Sequence, residues 1–120
     1  MTMLRTVVVR TQFSATHSCP ADKCTSSVNS FLVHKHRHLF KVEVKARVTD
    51  SDREIEFLDL LDTVEAVIAE YFPEDLGHKS CEMIAEEIME KVREQFPTTF
   101  FASVFEDGEN GAELWRVEDE

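Results

Sequence analysis

Residues 34 to 48 alternate. His34, His36 and His38 lead into Phe40, Val42, Val44, Ala46 and Val48 on one parity, while Lys41, Glu43, Lys45 and Arg47 lie on the other. In an extended chain every second side chain points the same way. Residues 36–48 therefore form a strand with an apolar face to be covered and a charged face that can stay in water. Imidazoles stand at the head of the apolar face. A buried imidazole needs a partner, and a divalent metal can be that partner.

The rest of the chain supplies the cover. Residues 5–17 alternate in the same manner, with Val7, Val9, Thr11, Phe13, Ala15 and His17 on one side, and predict a strand ending at a histidine. Residues 18–33 contain Pro20, several serines, Asn29, Cys19 and Cys24, and read as a loop. Thr49 to Asp52 is a polar turn. Leu60, Leu61, Val64, Val67, Ile68 and Tyr71 form a helical stripe that predicts a helix over 58–71, stopped at Pro73. Ser80 is an N-cap for a second helix over 81–95, whose buried side is expected to be Met83, Ile84, Ile88, Val92 and then Phe96. Phe100 to Phe105 and Ala112 to Val117 predict two strands joined by the turn Asp107-Gly108-Glu109-Asn110-Gly111. The order β-β-α-α-β-β gives an α+β fold: a four-stranded antiparallel sheet with two helices on one face. At 120 residues the chain is expected to form a single domain, residues 1–120.

The net charge of −11 disfavours sequence-independent nucleic-acid binding, which needs Lys and Arg against phosphates. Many of the acids fall within 50–94 and in the last few residues, as expected of solvated helix faces. No apolar stretch reaches 18 residues, so no membrane partner is expected. The start runs straight into Val7-Val8-Val9 without a signal-peptide pattern. Three cysteines, an odd count, then read as reduced thiols or metal ligands in the cytoplasm rather than a disulfide framework.

His17, His36 and His38 are the candidate metal ligands. An open catalytic zinc site uses three protein ligands and leaves a position for water or substrate. An H-x-H pair on one strand and a histidine ending a neighbouring strand suit that set. Ordinary surface or core histidines are the competing reading. His34 has the same parity and is a rival ligand, and with Lys35 and Arg37 it also reads as an anion patch. Cys19-x4-Cys24 with His36 and His38 is a further alternative, a closed structural Cys2His2 zinc site.

Five segments, in order, resemble the 6-pyruvoyltetrahydropterin synthase and 6-carboxytetrahydropterin synthase family. Phe13-Ser14-Ala15-Thr16-His17 is similar to its F-x-A-x-H opening, and His36-Arg37-His38-Leu39-Phe40 to its H-G-H-x-[FY] segment. Ile55-Glu56-Phe57-x-x-Leu60, Ser80-Cys81-Glu82-Met83-Ile84-Ala85 and Val104-Phe105-Glu106 resemble its first helix entrance, second helix start and late V-x-E-T strand. The resemblance implies the T-fold, subunits joined through their sheets into a homo-oligomer, typically a hexamer, and Zn2+ on His17, His36 and His38. It also implies a small-molecule pterin substrate such as 7,8-dihydroneopterin triphosphate, with Glu106 gripping the ring edge through paired hydrogen bonds. Without the resemblance, Glu106 is simply an acid at a hairpin end.

The pattern departs from that family at the proton-transfer groups. Where the family places a catalytic cysteine four residues before H-x-H, this chain has Leu32; counted from His34 the position is Ser30. The family's Asp–His pair after the first helix corresponds to Phe72-Pro73-Glu74-Asp75-Leu76-Gly77. Lys79 replaces the proline of the second helix start, and Asp107 the threonine after the glutamate. Cys24, Asp75 and His78 are the candidates to rebuild a shuttle. The reading is a zinc-dependent pterin-synthase-like lyase; the alternatives are a non-catalytic T-fold protein binding zinc and a pterin or purine, or a domain with the Cys2His2 zinc.

Overall fold

The computed structural model describes residues 3–117, so the acidic end at 118–120 lies outside the described residues. The elements are β1 (Arg5–His17), a 3-10 turn (Ser30–Val33), β2 (His36–Val48), α1 (Phe57–Tyr71), α2 (Cys81–Arg93), β3 (Thr99–Glu106) and β4 (Asn110–Trp115). The strands form one antiparallel sheet in sequence order. Both helices pack on one face of it. Phe40, Val42, Val44 and Ala46 of β2 are buried against Leu60 and Val64 of α1 and Ile84, Ile88 and Val92 of α2. This is the expected α+β arrangement, and the alternation at the head of β2 is what directs its histidines to the helix-covered side.

Local chemistry sets the ends. Ser80 caps α2, its hydroxyl accepting from Met83 N at 3.2 Å. Glu56 does the same for α1 from Leu58 N. The β3–β4 turn is tighter than expected. Asp107 and Gly108 have φ of 57° and 75°, and Glu109 N donates to Glu106 O at 2.9 Å. Positive φ at both central residues matches the twist of hairpin strands, which is why Asp-Gly is favoured there. β4 accordingly starts at Asn110, two residues before the expected Ala112.

Met83 is a correction. It was expected in the buried side of α2, yet it is 51% exposed. The buried stripe is Cys81, Ile84, Ala85, Ile88, Met89 and Val92, a three-and-four spacing that leaves position 83 off the core side.

The connector between the helices closes one end of the sheet. Thr16 N donates to Glu74 O at 2.8 Å, Leu76 N to Thr16 O at 2.8 Å and Ser18 N to Gly77 O at 2.9 Å. Residues 74–77 thus run beside the end of β1 like a short extra strand, and bring Lys79 to His17 and His78 to Ser18.

Candidate metal centre

Strand register assembles the site. His17 pairs directly with His36, and His38 lies opposite Ala15. Same-face alternation therefore sets three imidazoles in a triangle, with ring centroids 4.7, 4.9 and 5.4 Å apart. Phe40 lies beneath, edge-on to His17 at 5.2 Å and to His38 at 5.8 Å. On the other side of β2, Glu106 pairs with Phe40, and its side chain joins the histidines. Glu106 Oε2 is 3.0 Å from His17 Nε2 and Oε1 is 3.6 Å from His38 Nε2. One donor atom from each of His17, His36, His38 and Glu106 lies within 4.8 Å of every other.

Each ring is held from behind. His17 Nδ1 is 2.8 Å from Lys79 O and His36 Nδ1 is 2.8 Å from His34 O. His38 Nδ1 is 2.7 Å from Asp107 Oδ2. Carbonyls and carboxylates only accept, so each Nδ1 carries a proton and each ring turns its Nε2 inward. His17 Nε2 and His38 Nε2 are buried and find no hydrogen-bond partner among the described residues. A buried polar nitrogen without a partner is costly. A divalent cation would satisfy these two nitrogens together with His36 Nε2 and the Glu106 carboxylate, so these residues fit a metal, and His/carboxylate donors suit zinc. Asp107 is the second layer. Leu39 N donates to it at 3.0 Å, and this backbone bond, then the His38 contact, hold its carboxyl below the usual range.

The site opens into a cavity of about 810 Å³ lined by His17, His36 and Glu106 below and by Cys24, Leu32 and His78 on the loop side. The expected residues divide there. His34 is exposed ahead of β2 and contributes its carbonyl to His36; its ring is not in the donor group. Cys19 and Cys24 were expected as reduced thiols or zinc ligands. They are instead disulfide-bonded to each other, which removes both from the donor pool and leaves no Cys2His2 set. Cys24 faces the cavity in this bonded form, without a thiol to move a proton. Asp75 accepts from Lys35 Nζ at 2.8 Å and Gly77 N at 2.9 Å, which hold its carboxyl below the ordinary range. Arg37 pairs with Glu74, so both basic residues beside the histidines are tied to the connector. His78 is on the cavity wall, its Nδ1 3.2 Å from Ser18 O; no hydrogen bond joins it to Asp75 among the described residues.

Two features escaped the sequence. Asp107 behind His38 gave no signal in a linear reading, because it depends on a backward turn. The buried Cys81 is the remaining cysteine. It borders the same cavity, and burial pushes its thiol up to about 12, helped by the charges of Glu106 and Glu82 and a hydrogen bond to Glu106.

The sequence matches no protein-family model. It matches no curated protein. Among solved structures, the fold is similar to that of Caenorhabditis elegans 6-pyruvoyl tetrahydropterin synthase, with a TM-score of 0.71 over 96% of this chain and 97% of that one, at 16% identity. The likeness extends the T-fold architecture to this chain.

Proposed function

We propose that the chain is a zinc-dependent lyase of the 6-pyruvoyl- or 6-carboxytetrahydropterin synthase type, acting on 7,8-dihydroneopterin triphosphate or a related dihydropterin. One observation carries this reading: three imidazoles and a carboxylate converge, with His17, His36 and Glu106 lining a large cavity, in a fold similar to that of a pterin synthase. His17, His36 and His38 would hold the metal. When bound, zinc polarises a substrate hydroxyl and acidifies the protons next to it.

The chain's own groups do the remainder. Leu32, Leu76 and Met83 offer apolar wall for a flat ring, and Lys23 places positive charge on the same wall for an anionic substrate. His78 is the proton carrier: Ser18 O takes its Nδ1–H, which leaves Nε2 free to accept. This reading takes residues 1–120 as one domain of a homo-oligomer, a hexamer in the usual arrangement, associating through the outer strands β1 and β4. It places the protein in the cytoplasm, against which the Cys19–Cys24 bond pulls.

A second reading, binding of zinc and a pterin or purine without turnover, is favoured by that same disulfide and by Leu32 at the family's thiol position. Incubation of metal-replete protein with 7,8-dihydroneopterin triphosphate, with products read by mass, separates the two. A new product mass supports the lyase. Bound but unaltered substrate leaves the binding protein.

A further inference from the structure

We propose that Glu106 is a fourth ligand to the metal, so that protein donors close the centre until an incoming group displaces the carboxylate. The inference rests on the metal-binding half of the reading above and is independent of the pterin half.

The placement of Glu106 is the first ground. Alternation along β3 puts Val104 and Glu106 on the helix-covered face, and pairing with Phe40 carries the carboxylate to the imidazoles. Its two oxygens are shared between His17 Nε2 at 3.0 Å and His38 Nε2 at 3.6 Å. A carboxylate reserved for a ring edge would point its oxygens at open cavity. Here they point at two ring nitrogens.

The second ground is the proton inventory. Lys79 O, His34 O and Asp107 Oδ2 take the three Nδ1 protons. Each Nε2 therefore faces the cluster, and an ionised carboxylate can only accept. The Glu106 carboxylate thus sits 3.0 Å from His17 Nε2 while that nitrogen forms no hydrogen bond, which leaves the nitrogen unsatisfied. A dication shared by all four donors satisfies it, and three histidines with one carboxylate lie within the ordinary chemistry of zinc. The carboxylate also lowers the net charge of the centre by one, which makes the metal a weaker acidifier of whatever displaces it. Asp107, the next residue, leaves the strand at φ 57° and reaches His38 from behind. Two successive residues thus serve the same centre, one directly and one through a histidine.

The test uses the full chain loaded with cobalt(II), whose visible spectrum reports its ligands, and measures affinity by competition with a chelating dye. The wild-type spectrum is expected to stay unchanged on addition of millimolar acetate, because Glu106 already fills the position. Glu106→Ala should lose more affinity than the roughly 10–100-fold typical of an outer-shell partner. Its spectrum should differ and should shift when acetate is added. Asp107→Asn should lose affinity within that roughly 10–100-fold range and keep the wild-type spectrum. Should Glu106→Ala fail to fold by circular dichroism, Glu106→Gln provides the same spectral comparison. Wild-type affinity and spectrum in the Glu106 variants would overturn the proposal and leave a three-histidine metal site standing. That result, combined with weaker pterin binding, would return Glu106 to the ring edge. Failure of the wild-type chain to bind cobalt or zinc would overturn the metal reading and this inference together.

Discussion

The floor of the cavity and its loop wall obey different rules. At the floor, His17, His36 and Glu106, with His38 beside them, belong to three paired strands, and each position is fixed by backbone hydrogen bonds and parity. On the wall, residues 18–33 have only the short turn Ser30–Val33, and the groups there are placed by a disulfide and by a few loop hydrogen bonds. The floor carries the two histidine segments that resemble the pterin-synthase family, while Leu32 on the wall and residues 72–77 in the connector depart from that family's pattern. A ladder cannot move one donor without shifting its neighbours. A loop can exchange one residue at a time. The proposed metal ligands thus lie on the sheet, and the proposed proton carrier lies on its connections.

That contrast can be broken at the floor first. Replacing His36 and His38 together by alanine should abolish stoichiometric metal, read by elemental analysis of the purified chain. Metal retained in that variant would remove the floor's role. Phe40→Ala attacks the support under the rings. Phe40 is fully buried, and emptying such a site costs about 3–5 kcal/mol. Chemical denaturation should show that loss, and metal binding should weaken as the rings lose their rest. A small loss of stability would mean that the histidines are positioned by their rear hydrogen bonds alone.

The wall should respond more weakly. Replacing Cys19 and Cys24 by serine opens a short loop, for which the chain-entropy estimate is about 2 kcal/mol, with metal content unchanged. Metal lost with the cysteines would join wall to floor and undo the comparison. The same bond has a chemical signature. Unfolded without reductant, the chain should titrate one thiol, from Cys81, and after reduction three. Three thiols before reduction would mean that the bond is not formed.

The smallest effect is expected at Lys35→Ala. Its contact with Asp75 is exposed, but that hydrogen bond is the largest influence holding the Asp75 carboxyl below its usual range. A depressed carboxylate stabilises the fold above its unfolded value, about pH 4, and that contribution disappears as pH falls through the lower folded value. Thermal midpoints compared across pH 2 to 5 should therefore show a shallower acid loss in Lys35→Ala, with the wild type and variant converging at the acid end. Parallel curves would mean that the pair does not hold in solution.

The sequence by itself determined the periodic features. Two-residue alternation placed both long strands at 5–17 and 36–48, the bounds observed for β1 and β2. Three-and-four spacing and Ser80 placed the helices, and parity put His36 and His38 on the apolar face. Such features depend on neighbours along the chain, so a linear reading captures them. Tertiary structure alone decided the partners. Pairing of His17 with His36 required a register between segments 19 residues apart. Glu106 among the histidines required β3 to lie beside β2 rather than β1. Asp107 behind His38, the Lys79 carbonyl behind His17 and the bond between Cys19 and Cys24 all follow from turns that fold the chain back on itself. Periodicity gives each side chain a face. Only the closure of distant segments decides which side chains share that face, because that choice is made by packing and hydrogen bonding across the whole sheet.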